Sequence, residues 1–320
     1  MTDGFDASLE TPFFVVGPVR SGTTLLRLLL GHHPSICRCE EMEYLTPWLV
    51  GRDDWPEIGA LRTELARDRG FRLSGYAMPP HGDLPALARD LFAQRRRLDG
   101  RPIFGAVVHN HFDELPRLFP AARFVFLHRD PRDVARSCVE MGWAGTPYHG
   151  AEKWLEAHAA WARLRERVPA ERWLELRFEA LVDAPDVELA RACAFLGTAY
   201  DPRMLEIDAD TTYSRPRRGE SRSWRETATA DEVAQVETRI GREILVEAGY
   251  VPSGNEPLRL SATRRIRLAW AELRGRVGFR IRRYGFGLWL ASLFASRAPI
   301  GGLREWTQER IDGINNRHMK

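Results

Sequence analysis

The residues with the clearest chemical pattern run from position 17 to position 24 and read GPVRSGTT. Two glycines five positions apart lie between a short apolar run and a series of leucines at helical spacing, so the segment joins a strand to a helix. Backbone N–H groups of such a turn converge on an anion at the helix N-terminus, where the helix dipole adds to the attraction. The pattern predicts a phosphate-binding loop, and the alternative is a tight connection without a ligand.

The residue types near this loop favour one kind of anion over others. A nucleoside-triphosphatase loop carries lysine where Thr23 stands, and an acidic residue at the end of a second strand helps to hold magnesium. Here the second apolar strand ends in His128-Arg129, and Arg20 lies inside the loop. Two arginines suit a substrate with phosphates at both ends of a ribose and no required metal. A nucleotide or small-molecule kinase with a P-loop is the alternative.

Two motifs in this order resemble those of the sulfotransferases that use 3′-phosphoadenosine 5′-phosphosulfate (PAPS). Residues 18–25, PVRSGTTL, resemble the loop that binds the 5′-phosphosulfate. By that resemblance the ligands of this group are Arg20, Ser21, Gly22, Thr23, Thr24 and Leu25. Residues 128–137, HRDPRDVARS, resemble the 3′-phosphate motif, in which Arg129 and Ser137 stand eight positions apart. The resemblance implies sulfuryl transfer from PAPS to an acceptor hydroxyl, with no metal.

Weaker matches extend the resemblance over about residues 12–250. Residues 177–185, RFEALVDAP, resemble a strand–helix unit of the family, with Phe178 where tyrosine is common. Arg217, Arg218 and Gly219, followed by Trp224, resemble the flexible segment that closes over PAPS. By this resemblance those three residues join Arg129 at the 3′-phosphate.

The acceptor proton needs a general base, and the sequence offers two candidates. Glu40 is the first glutamate of a Cys-Glu-Glu run that follows a His-Pro pair. This resembles the start of the protein-tyrosine sulfotransferases, where the first glutamate of the pair is the base. His111 matches the catalytic histidine of the cytosolic sulfotransferases, whereas His109 stands where those enzymes carry a lysine. We favour Glu40 because the surrounding sequence matches better. His109 is a candidate donor to the sulfonate, and Arg20 is expected to stabilise the developing charge.

Strands and helices alternate in the sequence, which predicts an α/β fold with a central parallel sheet and flanking helices. The resemblance to the sulfotransferases implies that this fold is similar to that of the P-loop kinases. We expect strands at residues 13–16, 123–127 and 173–178. Helices are expected after the loop, from about residue 132, at 151–168 and at 187–196, and residues 52–100 are expected to be mostly helical. The predicted division is a PAPS-dependent domain at 1–256 and a basic, amphipathic helical extension at 257–320.

Charge separates the two predicted parts of the chain. Residues 257–320 hold 14 Lys+Arg against 4 Asp+Glu, which leaves 33 against 40 in residues 1–256. A basic segment followed by an aromatic run predicts contact with a membrane surface through residues 258–300, and packing on the enzyme body or in a homodimer is the alternative. We expect no nucleic-acid partner, because the arginines lie outside any recognisable recognition fold. The absence of an export signal and of a spanning run predicts a cytoplasmic, peripheral enzyme.

The acceptor stays open at this stage among peptide tyrosine, carbohydrate, lipid and small phenol or alcohol, because a fold does not determine an acceptor. The four cysteines show neither the spacing of a disulfide framework nor that of a zinc site, so we expect reduced thiols and no metal.

Overall fold

The structure is a computed structural model that describes residues 11–79, 82–206, 223–297 and 302–318. Its strands are β1 Phe13–Val16, β2 Glu40–Glu41, β3 Gly105–Val108, β4 Arg123–His128 and β5 Trp173–Arg177. Its helices up to residue 167 are α1 Thr23–Gly31, α2 Ile58–Arg67, α3 Arg69–Ser74, α4 Leu84–Asp99, α5 Leu115–Leu118, α6 Pro131–Glu140 and α7 Pro147–Arg167. The remaining helices are α8 Phe178–Asp183, α9 Pro185–Leu196, α10 Ser223–Thr227, α11 Ala230–Ile240, α12 Arg242–Glu247, α13 Ala262–Tyr284, α14 Phe286–Arg297 and α15 Leu303–His318.

The strands form one parallel sheet in the order β2-β3-β1-β4-β5. β1 and β3 are buried along their whole length, which explains their continuous apolar sequences FFVV and GAVV. Val16 lies in register with Val108 on one side and with Phe126 on the other. The carboxyl ends of all five strands therefore meet at one edge of the sheet, where open α/β sheets bind their ligands.

Helices cover both faces of this sheet. Buried residues of α1, α8 and α9 pack with Val15 and Val125 on one face. Buried residues of α2–α5 and of the C-terminal part of α7 pack with Phe14 and Phe126 on the other. The predicted α/β class with a central parallel sheet is confirmed.

The chain divides into two compact units. The first holds residues 11–130 and 154–206 of the described chain, and includes the sheet. The second holds residues 131–153 and the described residues from 224 onward, including α6 and α10–α15. The predicted division at residue 256 stays a prediction.

The observed helices and strands agree with the predicted ones where the apolar periodicity is strong, and they differ from them at their ends. The predicted strand 173–178 ends at Arg177, because Phe178 already begins α8. The predicted helix 151–168 begins four residues earlier, at Pro147. β2 and β3 were not predicted. No helix within the described ranges has the length and apolarity needed to cross a membrane, and the four cysteines are unpaired and buried.

Two histidines are enclosed by aromatic rings near the end of β4. His128 stacks on Phe126 with ring centroids 5.7 Å apart, and His158 of α7 stacks on Trp154 at 3.5 Å. Burial, with nearby positive charge, lowers the pKa of His128 to about 4 and that of His158 to about 3. Both rings are therefore neutral in the folded protein at pH 7.

We expect the folded state to lose stability as the pH falls from about 6.5 toward 4, because the unfolded chain then binds protons that the folded histidines do not. The loss should be on the order of 3 kcal/mol for each histidine by pH 4. Urea unfolding across this range measures it, with His158→Phe as the comparison. This variant should lose less stability than the parent on acidification, and identical losses would contradict the assignment.

Candidate active site

Four strand ends and one turn supply the residues of the candidate site. Residues 17–22, which we call the anion loop, connect β1 to α1. His109 follows β3, Arg129 follows β4 and Phe178 follows β5. Glu43 lies two residues after β2. Because the strands are parallel and in register, their ends bring these positions to the same edge of the sheet.

The backbone of the anion loop has an unusual conformation that its glycines permit. Gly17 has φ 148°, Gly22 has φ 90° and Arg20 has φ 67°. A Cβ on Gly17 would lie 2.2 Å from the carbonyl oxygen of Leu127. Glycine is thus required on steric grounds as well as for its dihedral angles. Arg20 is one of two described residues other than glycine with positive φ, a strain that functional sites often carry.

The loop ends on a helix N-terminus with donors available for an anion. Gly22 is the N-cap of α1 and provides no side-chain cap, and the first turn contains no acidic residue. The hydroxyl oxygen of Ser21 is fully buried and has no hydrogen-bond partner among the described residues. An orphaned hydroxyl next to uncapped helix amides costs free energy unless a ligand satisfies it. These features fit a phosphate or sulfate group.

Phe178 connects the anion loop to Arg129. A Cβ on Gly22 would lie 2.3 Å from the Phe178 ring, so the ring lies directly against this glycine. The Arg129 guanidinium lies over the same ring, with Cζ 4.4 Å from its centroid. The carbonyl oxygen of Arg129 accepts a hydrogen bond of 2.9 Å from the indole of Trp154. One aromatic side chain thereby holds two predicted ligand positions relative to each other.

His109 contacts the first residue of the anion loop and the first residue of α1. Its Nδ1 lies 3.0 Å from the carbonyl oxygen of Gly17, and its Nε2 lies 3.4 Å from the hydroxyl of Thr23. A carbonyl only accepts, so Nδ1 carries a proton and donates to Gly17. Both ring nitrogens contact this connection, so His109 positions the loop, and its role as a donor to the sulfonate stays a prediction.

Glu43 was not singled out by the sequence. Its carboxylate accepts hydrogen bonds from the backbone N–H of His109 and from the backbone and side-chain N–H groups of Asn110, the latter at 3.3 and 3.0 Å. It therefore caps the end of β3 and fixes the residue that braces the loop. The sequence shows only that Glu43 is charged and lies near two other glutamates. Charge alone does not identify a residue that caps the end of a strand.

Glu40 is held by a buried arginine. Its Oε1 accepts from Nη2 of Arg95 at 2.9 Å, and the Glu40 side chain is 34% exposed. Arg95, on α4, is itself fixed by the hydroxyl of Tyr76 at 3.0 Å and by Asp99 at 3.3 Å. Burial raises the pKa of Tyr76, so its hydroxyl stays neutral and accepts from Arg95. The ion pair with Arg95 engages one carboxylate oxygen of Glu40, Oε1.

The other predicted residues are in different settings. His111 is exposed, has φ 53° and begins a short 3-10 turn. Thr24 and Leu25 lie in the first turn of α1. Ser137 lies in α6, in the second unit. Arg217, Arg218 and Gly219 lie outside the described residues.

Comparison with known proteins identifies a family for this architecture. A sequence model described as the sulfotransferase family matches residues 12–202, which is more than half of the chain. Protein-tyrosine sulfotransferase A of Caenorhabditis elegans is 25% identical over 289 residues, covering 80% of this chain and 71% of the relative. The nodulation protein NoeE of Sinorhizobium fredii is 28% identical, covering 75% of this chain and 66% of the relative.

A solved structure supports the fold. The sulfotransferase domain of a Synechococcus olefin synthase superposes with a TM-score of 0.51 at 20% identity, covering 81% of this chain and 93% of that chain. The similarity confirms the predicted fold class.

Gly22→Ala is expected to weaken binding of 3′-phosphoadenosine 5′-phosphate about 10-fold or more. The new Cβ would overlap the Phe178 ring, and alanine at φ 90° is strained by about 1–3 kcal/mol. Isothermal titration calorimetry measures the change. Gly82→Ala is the matched control, because a Cβ there has no atom within 4 Å. Equal affinities of the two variants would contradict the role of the anion loop.

Proposed function

The chain belongs to the sulfotransferase family, and we propose that it takes the sulfuryl group from PAPS bound with its phosphosulfate on the anion loop. The products are a sulfate ester and 3′-phosphoadenosine 5′-phosphate. The observation that carries this assignment is the buried hydroxyl of Ser21, which has no hydrogen-bond partner in the described part of the chain and lies beside the N-terminus of α1. The kinase alternative is not favoured, since Thr23 stands where a nucleotide kinase carries its lysine.

Transfer requires donors for the charge that develops on the sulfuryl oxygens and on the leaving phosphate oxygen. The first-turn amides of α1 and the Ser21 hydroxyl are fixed before the reaction and therefore need no reorganisation. Arg20 adds a planar fork of donors at the centre of the loop. A donor whose interaction strengthens as charge develops lowers the barrier as well as tightening binding.

Glu40 is the base in this proposal. A base must be held in one orientation, and Arg95 holds Glu40 through one carboxylate oxygen while the other can take the acceptor proton. His111 is exposed and lies on a turn. The pairing with Arg95 therefore supports Glu40 over His111, and His109 acts by positioning the loop.

The 3′-phosphate end of the nucleotide is assigned to Arg129, on the support of its sequence motif and its fixed guanidinium. Ser137, Arg217, Arg218 and Gly219 complete this end in the proposal, on the sequence resemblance alone. No cluster of three or more potential metal ligands occurs within the described part of the chain, and the proposal assigns no metal to the reaction.

The acceptor carries a hydroxyl. Some matched relatives, among them the Caenorhabditis elegans protein, are named protein-tyrosine sulfotransferases, which supports a phenolic hydroxyl among the candidates. Carbohydrate, lipid and small alcohols complete the set. A membrane-surface contact through residues 258–300 also belongs to the proposal, on the support of the charge pattern, and a homodimer through this segment is the alternative. A cytoplasmic location stays a prediction from the sequence.

We expect the protein to bind 3′-phosphoadenosine 5′-phosphate more tightly than ATP, and without a metal, because ATP lacks the 3′-phosphate that Arg129 addresses. Calorimetry in the presence of EDTA measures both affinities, and Arg129→Ala should weaken binding of the first nucleotide only. Equal affinity for ATP, or a requirement for magnesium, would contradict the assignment.

Glu40→Gln should lower turnover about 10²–10⁴-fold, the usual contribution of a general base, with little change in nucleotide affinity. Transfer of labelled sulfate from PAPS into a model phenol, with nucleotide affinity measured separately, tests both parts. His111→Ala is the companion variant and should stay active. The reverse result, an active Glu40→Gln and an inactive His111→Ala, would make His111 the base.

A further inference from the structure

An apolar stripe lies exposed on α13, in the second unit. Ile266, Trp270 and Leu273 follow one another at helical spacing and are 58%, 63% and 54% exposed. Large apolar side chains at these positions form a continuous surface along two turns of helix. We call these three residues the α13 stripe. The next helix, α14, adds exposed Phe286 and Phe294 within the same unit.

The opposite face of α13 is fixed by close packing. A Cβ on Gly275 would lie 2.5 Å from the carbonyl oxygen of Gly145, and a Cβ on Gly142 would overlap the ring of Phe279. Leu268 is buried on the same side. These contacts determine the rotation of the helix about its axis, so α13 cannot turn to bury the stripe without losing them.

The charge on α13 is almost entirely positive. The helix contains eight arginines and one acidic residue, Glu272. Glu272 faces inward, where its Oε2 accepts from the backbone N–H groups of Gly145 and Thr146 at 2.7 and 3.0 Å. Arg267 and Arg274 fall on one side of the stripe and Arg265 on the other by helical spacing, and all three are exposed. The outward face therefore combines an apolar centre with cationic margins.

We propose that the α13 stripe docks the enzyme on an anionic lipid surface, an inference that rests on the membrane contact proposed for residues 258–300 and assigns it to named side chains. Arginines at the margins meet phosphate headgroups while the tryptophan and the two aliphatic side chains enter the boundary between headgroups and acyl chains. A second copy of the chain fits less well, because two such faces would bring like-charged margins together. A nucleic acid would use the arginines but leave the apolar centre uncovered.

Sedimentation of the full chain with phosphatidylcholine vesicles, with and without phosphatidylglycerol, tests the proposal. The protein should sediment with the anionic vesicles and less so as salt is raised. Point variants are used because α13 packs within the second unit, and removing the helix would expose the residues that it covers. Arg267→Gln/Arg274→Gln should weaken binding about 30-fold, at about 1 kcal/mol for each arginine near the surface. Trp270→Ser should weaken it about 10-fold.

Arg67→Gln/Arg97→Gln is the matched control, since it removes two exposed arginines from α2 and α4 of the first unit. Unchanged affinity of every variant for 3′-phosphoadenosine 5′-phosphate verifies folding. If Trp270→Ser does not fold, the vesicle binding of the arginine variant alone tests the proposal. Absence of sedimentation with anionic vesicles, or equal binding by the arginine variant and its control, overturns the proposal. Light scattering that shows a dimer dissociated by Trp270→Ser, with vesicle binding unchanged, would assign the stripe to a second copy instead.

Discussion

Close packing around two glycines is the constraint on which the candidate site depends. Gly17 lies against the backbone of β4 and Gly22 lies against the ring of Phe178, each so closely that a Cβ would overlap its neighbour. Both have positive φ, and Arg20 between them does as well. This conformation leads the chain directly from the end of β1 into α1, and the first amides of α1 stay available for an anion.

The surrounding structure stabilises this strained loop through the sheet register. Because all five strands are parallel, each contributes a residue near its carboxyl end, and these residues contact the loop or one another. Glu43 fixes His109, His109 braces the loop at Gly17 and Thr23, and Phe178 supports Arg129. Each unusual backbone conformation costs on the order of 1–3 kcal/mol, and the buried central strands β1, β3 and β4 stabilise the fold that holds it.

Sequence patterns predicted the parts of the site that local chemistry determines. The apolar runs of β1 and β4, the glycines of the loop and the arginine after β4 are recognisable because each is specified by its neighbours in sequence. β2 was missed because its two residues are both glutamates, and a strand that short has no periodicity. The brace from Glu43 through His109 was missed because it depends on strand order. The rotation of α13, which leaves Trp270 exposed, depends on glycine contacts more than a hundred residues apart in sequence.

The central claim is that the anion loop receives the 5′ end of the nucleotide. A crystal structure of the protein with 3′-phosphoadenosine 5′-phosphate tests it most directly, through the distances from the 5′-phosphate oxygens to the Ser21 hydroxyl and to the first amides of α1. We expect hydrogen bonds of about 2.7–3.2 Å to these groups. A 5′-phosphate bound elsewhere, with the Ser21 hydroxyl still unpartnered, would contradict the account.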